Sequence, residues 1–121
     1  LDNGKSSLFR HTDWKNSRSH TSSTLNITKS NVDSENTVSC ETIDIANFIK
    51  SLNGKVLIKM DIEGSEYEII NHLLNNKVFK NINIIFCEFH PGKIKNGYIK
   101  HLILNTRLFC LGQSRKIINW F

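Results

Sequence analysis

Two short segments of this 121-residue chain carry side chains that could do chemistry. Each follows an apolar run typical of a buried strand, 56–58 in the first segment and 84–87 in the second. Both segments supply carboxylates just after that run, and the second adds a histidine. Such groups act as general bases, hydrogen-bond the hydroxyl groups of a ligand or bind metal ions. The candidate site residues are Asp61, Glu63, Glu88 and His90.

The elements that must position these residues are predicted from the spacing of apolar side chains. Thr42 is the expected N-cap of the first helix, and Ser65 with Glu68 predicts a capping box for the second. The third helix is expected to bury Tyr98, Ile99, Leu102 and Ile103. The predicted order is β-α-β-α-β-α-β-β, over 37–41, 45–52, 55–61, 65–76, 82–89, 95–105, 107–111 and 116–121.

The strands 55–61 and 82–89 are predicted to be parallel, because a helix connects them. The second is apolar on both faces, so helices are expected to cover it on both sides. A right-handed crossover places the carboxyl ends of the two strands at the same edge of the sheet, about 4.8 Å apart if the strands are neighbours. The candidate residues would then lie close together. Polar residues also gather wherever strands reach water, and for His90 that explanation is about equally good. Glu66 is explained by the helix dipole, and Lys59 is interpreted as a local partner of one of the acids.

The composition of the chain excludes several classes of protein. Residues 1–37 are rich in Ser, Thr and Asn and are interpreted as a short strand at 7–9 plus a loop, and 38–121 as the main α/β unit. The net charge is +5, but the basic residues are scattered, so a nucleic-acid partner is not expected. No apolar run reaches the length of a membrane span. Three widely spaced cysteines without a C-x-x-C pair favour a reducing, cytoplasmic setting.

The two strand-end motifs resemble a known family. The segment 59–66 has the form K-x-D-x-E-G-x-E, and 88–91 has the form E-x-H-P. Together they are similar to the FkbM family of S-adenosylmethionine-dependent methyltransferases. Residues 42–44, Thr-Ile-Asp, resemble the T-L-D element of that family. The likeness covers about residues 1–111.

The resemblance implies a Rossmann-like methyltransferase sheet, with parallel strands and an antiparallel closing strand. It also implies methyl transfer from S-adenosylmethionine to a hydroxyl group of a small molecule, glycan or lipid. Asp61 would lie beside the methyl donor and the acceptor, as both a cofactor-binding and a catalytic residue. Glu63, Glu88 and His90 would line the same pocket, and no residue is assigned to a metal.

The cofactor site of the family begins at a Gly-rich turn, and this sequence contains no G-x-G-x-x-G. We therefore expect the chain to correspond to the C-terminal half of the methyltransferase domain, with the cofactor-binding half lacking. Such a half-sheet would expose an apolar edge, so we expect an incomplete unit or self-association through that edge. A monomer that melts cooperatively would contradict this expectation.

Two alternatives remain open at this stage. The first is a small α/β enzyme that binds Mg, Mn or Fe through the four candidate residues, and metal analysis would test it. The second is a non-catalytic interaction module of the same fold. In that case an Asp61→Asn variant would keep full partner binding.

Overall fold

A computed structural model describes residues 4–11 and 32–120 of the chain, which form an antiparallel strand pair and a three-stranded parallel sheet with helices. The predicted Ser-rich loop lies outside the described residues. Three short 3₁₀ turns at Val78–Asn81, Pro91–Lys93 and Ser114–Lys116 connect the elements. The strands and helices in chain order are β1 (Gly4–His11), β2 (Val32–Thr42), α1 (Ile45–Ser51), β3 (Val56–Met60), α2 (Glu66–Asn75), β4 (Ile82–Cys87), α3 (Gly97–Cys110) and β5 (Ile117–Asn119).

Within residues 4–11 and 32–120, the first two strands pair with each other and with no other strand. β1 and β2 are antiparallel, in a register that runs from Gly4 opposite Thr42 to His11 opposite Val32, with an irregularity after Phe9. The short strands predicted at 7–9 and 37–41 lie inside these longer ones.

The three-stranded sheet has the order β3-β4-β5. β3 and β4 are parallel neighbours, with Met60 opposite Cys87, as the sequence predicted. The predicted antiparallel closing strand is wrong, because β5 runs parallel to β4 with Ile85 opposite Ile117. The physical reason is the long helix α3, which returns the chain to the edge where β4 began, so that the next strand repeats its direction.

The last helix is longer than the sequence pattern indicated. The strand predicted at 107–111 is wrong, since these residues are the end of α3 and the turn after it. No Gly or Pro stands between Tyr98 and Leu111, so nothing stops the helix until Gly112. Gly112 has a φ of 65°, the left-handed conformation that commonly ends helices.

The buried face of α3 is also not the predicted one. Leu104 and Leu108, four residues apart, are each 1% exposed and pack in the core. The side chains predicted to point inward are instead exposed, namely Tyr98, Ile99, Leu102 and Ile103. Both sides of this helix are apolar, so periodicity alone could not choose between them.

The core lies on one face of the parallel sheet. Alternate strand residues such as Met60, Ile85 and Cys87 are buried there against residues of all three helices. On the opposite face of the sheet, Leu57 and Ile118 are exposed and Phe86 is half-buried. In the described part of the chain, the expectation that β4 is covered by helices on both faces is therefore wrong.

One predicted helix start is wrong, and at the other the predicted capping box is absent. Thr42 ends β2, and the N-cap of α1 is Asp44, whose carboxylate accepts a hydrogen bond of 2.9 Å from the backbone N–H of Asn47. Ser65 is the N-cap of α2 but makes no capping hydrogen bond with its side chain, so the predicted capping box is absent. Within residues 4–11 and 32–120, every helix is too short or too polar to cross a membrane.

Candidate active site

The carboxyl ends of β3 and β4 lie side by side, and the residues of the candidate site directly follow them. The backbone N–H of Glu88 donates to the carbonyl of Met60 at 2.9 Å, which extends the pairing by one residue beyond β4. Asp61 and Glu88 therefore leave the sheet beside each other. After Asp61 the chain turns sharply through Glu63 and Gly64, whose φ angles are 56° and 108°. Positive φ is costly for a residue with a side chain, so the turn must be held by its surroundings.

Glu66, the first residue of α2, holds that turn from inside. Its side chain is fully buried, and its two carboxylate oxygens accept from the backbone N–H of Gly64 at 3.1 and 3.0 Å. The N–H of Ile62 donates to the same carboxylate at 3.4 Å. The Oε1 atom also lies 2.9 Å from Nδ1 of His90. One buried carboxylate thus fixes both the turn after β3 and the imidazole after β4.

His90 is only 8% exposed, and its two ring nitrogens face different partners. Because an ionised carboxylate only accepts hydrogen bonds, the contact with Glu66 assigns the proton to Nδ1. Nε2 points the other way, 3.4 Å from Oε1 of Glu88 and 3.9 Å from Oδ1 of Asp61. The ring is therefore held with one nitrogen directed at the two strand-end acids.

Glu63 links the two turns of the site. Its Oε2 atom lies 2.7 Å from Nζ of Lys93, in the 3₁₀ turn that follows His90. One ligand atom each from Asp61, Glu63 and His90 lie within 4.8 Å of one another. The structure thus brings together all four residues proposed from the sequence. Their roles in catalysis and cofactor binding remain predictions.

This geometry can be set beside known proteins. The family model described as Methyltransferase FkbM domain matches residues 1–111. The chain belongs to the FkbM methyltransferase family. The family and the extent of the match agree with the resemblance seen in the two strand-end motifs. No curated protein and no solved structure matches the chain.

Sequence reasoning missed two residues of this FkbM domain. Glu66 was explained by the helix dipole, yet it lies four residues before Ile70 and seven before Leu73, on the buried face of α2. That spacing was the available signal. Lys93 carried no local signal, because many lysines are scattered along the chain. Lys59, expected beside an acid, has its Nζ 3.9 Å from the centre of the Trp120 ring instead.

An aromatic group supports the strand end that carries His90. The Phe89 ring contacts Tyr67 of α2 in a tilted arrangement and His101 of α3 edge to face, with ring centroids 5.4 and 4.8 Å away. The hydroxyl of Tyr67 lies 3.3 Å from Nδ1 of His101. Burial, chiefly, raises the pKa of Tyr67 to about 12, so the phenol stays neutral. These contacts tie the end of β4 to both helices.

Cysteine reactivity offers a simple check of this packing. Burial, with a smaller contribution from the Glu66 carboxylate, raises the pKa of Cys87 to about 12, whereas Cys110 is exposed. All three cysteines are free thiols. Since the thiolate is the reactive form, we expect iodoacetamide at pH 8 to label Cys110 in the folded protein and Cys87 only in urea. Peptide mass spectrometry measures both, and equal labelling of the two in the folded protein would contradict the structure.

Proposed function

We propose that this FkbM domain transfers a methyl group from S-adenosylmethionine to a hydroxyl group of a small-molecule, glycan or lipid acceptor. The observation that supports this most is the convergence of Asp61, Glu88 and His90 at the carboxyl ends of adjacent parallel strands. Open α/β sheets bind their ligands at that edge. Membership of a methyltransferase family directs the proposal to this reaction.

The chemistry of the donor set fits the cofactor. S-adenosylmethionine carries a positive sulfonium and a positive ammonium group, and the site offers several carboxylates. The side chains of Asp61 and Glu88 are 48% and 36% exposed, so a ligand can reach them. We assign the cofactor contact to Asp61. When bound, the cofactor would supply an electrophilic methyl group.

The other residues would prepare the acceptor. A hydroxyl group must lose its proton as its oxygen gains the methyl group. Glu88 can accept that proton, and its partial exposure gives a path to solvent. His90, held by Glu66, and Asp61 would hold the oxygen in place. Glu63, fixed by Lys93, would form the neighbouring wall of the pocket.

Binding of the cofactor is tested by calorimetry with S-adenosylmethionine, on this chain and on any longer product of the same reading frame. Methyl transfer is tested by measuring the release of S-adenosylhomocysteine in the presence of hydroxyl-bearing acceptors. If neither form binds the cofactor, the proposal fails and the non-catalytic interaction module becomes the better explanation.

The Asp61→Asn variant is expected to lower the rate of methyl transfer about 10- to 100-fold, because it removes a charge that contacts the reacting groups. Asp61 is half-exposed, so folding should be retained. Glu68→Gln is the control, since it removes a carboxylate from the exposed side of α2. Full activity in Asp61→Asn would contradict the assignment of this residue.

A further inference from the structure

We propose that Asp61, Glu63 and His90 form a binding site for a divalent cation of the Mn²⁺ type. They supply two carboxylates and one imidazole from two neighbouring turns, and their nearest ligand atoms all lie within 4.8 Å of one another. His90 is buried, Glu63 half-buried and Asp61 exposed, so the group opens to solvent on one side only.

The spacing is that of a metal site which needs only a small adjustment. Ligands that share one ion at about 2.1 Å lie roughly 3.0 Å apart when adjacent in an octahedron and about 4.2 Å apart when opposite. The distance from Nε2 of His90 to Oδ1 of Asp61 is 3.9 Å, between these two values. Asp61 is 48% exposed, so its side chain has room to rotate toward the ion.

A second observation, independent of the number of acids, comes from the orientation of His90. The ring is only 8% exposed and its Nδ1 is held by the buried Glu66, so Nε2 is aimed into the cluster, 3.9 Å from Oδ1 of Asp61 and 3.4 Å from Oε1 of Glu88. In the neutral ring with its proton on Nδ1, the lone pair of Nε2 would bind the cation. Metal-binding histidines commonly have this arrangement, with a carboxylate on the far nitrogen that fixes the ring.

The charge of the site also favours a cation. Four carboxylates, those of Asp61, Glu63, Glu66 and Glu88, surround the imidazole, and Lys93 is the cation that the structure places on one of them. The Lys93 contact uses Oε2 of Glu63, and the lysine is 43% exposed, so it can move away. A divalent ion would offset the remaining negative charge.

The mixed ligand set selects the class of ion. Carboxylates suit Mg²⁺ and Mn²⁺, and a single imidazole shifts the preference toward first-row metals, which makes Mn²⁺ the natural probe. Beyond binding, the next step depends on the proposed function. The ion would bind the oxygen of the acceptor hydroxyl and make its proton more acidic, and Glu88 would receive that proton.

The test is a titration of the chain with Mn²⁺, in which electron paramagnetic resonance reports the unbound ion. We expect one bound ion, an affinity at least tenfold weaker in Asp61→Asn, and no change in Glu68→Gln. Lys93→Met should bind more tightly, because it removes a positive charge that competes with the ion for Oε2 of Glu63. A gain of affinity cannot arise from misfolding. This variant therefore tests the site even if the loss of affinity in Asp61→Asn came from misfolding.

The outcomes separate the two proposals. Mn²⁺ binding without S-adenosylmethionine binding would support the cation site and overturn the methyl transfer. Cofactor binding without Mn²⁺ binding would support the methyl transfer and overturn the cation site. The cation site is overturned if wild type binds no Mn²⁺, or if Asp61→Asn and Lys93→Met both bind it as wild type does.

Discussion

Replacing Glu66 with alanine is expected to lower the free energy of unfolding by about 2–5 kcal/mol, because two buried hydrogen-bond donors would lose their acceptor at about 1–3 kcal/mol each. The side chain is fully buried, and its carboxylate is the hydrogen-bond partner of Gly64 N–H and His90 Nδ1. Alanine would leave both donors buried without that acceptor. Urea unfolding followed by circular dichroism measures the loss.

Glu66→Gln separates the structural role from the chemical one. A glutamine carbonyl can still accept from Gly64 N–H, so the expected loss is only about 1–2 kcal/mol. With this carbonyl in the place of Oε1, residue 66 would also accept from Nδ1 of His90, so the ring keeps its orientation. We therefore expect Glu66→Gln to keep Mn²⁺ binding, whereas Glu66→Ala weakens it.

The control for both variants is Glu68 on the same first turn of α2, which is exposed. Glu68→Ala should change the free energy of unfolding by less than about 0.5 kcal/mol. If Glu66→Ala were as stable as Glu68→Ala, the buried carboxylate would not hold the turn. Loss of Mn²⁺ binding in Glu66→Gln would show that the orientation of His90 depends on the charge of residue 66 and not on its hydrogen bonds.

The site was predictable from sequence to the extent that its residues directly follow buried strands. Asp61, Glu88 and His90 stand at two strand ends, and parallel pairing of β3 and β4 brings them together. Glu66 was missed because an acid in a first helical turn already has a sufficient explanation in the helix dipole. Only its position on the buried face of α2 separates the two explanations.

The fold was less predictable where a local pattern allowed two answers. α3 is apolar on both sides, and the burial of Leu104 and Leu108 is decided by packing against the rest of the core. Its length was underestimated because no breaker marks position 105. The wrong direction of the final strand has another source, the antiparallel closing strand that the family resemblance implies, whereas α3 returns the chain to a parallel start.

The loop between His90 and α3 gives the second large expected effect. Gly97 is the first residue of α3, and a Cβ atom there would lie 2.7 Å from the carbonyl carbon of Pro91 and 2.8 Å from Cγ1 of Ile94. It would come closer still to the carbonyl oxygen of Pro91. Backbone atoms cannot rotate away as side chains do, so we expect Gly97→Ala to cost about 3 kcal/mol or more.

This expectation runs against helix propensity, which favours alanine over glycine by about 1 kcal/mol inside a helix. A decrease in the free energy of unfolding would show that the close contact dominates, and an increase would show that helix propensity dominates. Gly92→Ala is the matched control in the same loop, since its Cβ would meet only the hydroxyl oxygen of Tyr98 at an ordinary 3.7 Å. It should stay within about 0.5 kcal/mol of wild type.

The same pair of variants reports on the site, because Pro91 directly follows His90. If the close approach of Gly97 to Pro91 fixes the end of β4, Gly97→Ala will weaken Mn²⁺ binding as well as stability, while Gly92→Ala will change neither. Urea unfolding and the Mn²⁺ titration measure the two effects on the same samples. A Gly97→Ala protein as stable as wild type would mean that the loop does not pack as described. The position of His90 would then depend on its hydrogen bond with Glu66 and not on this loop.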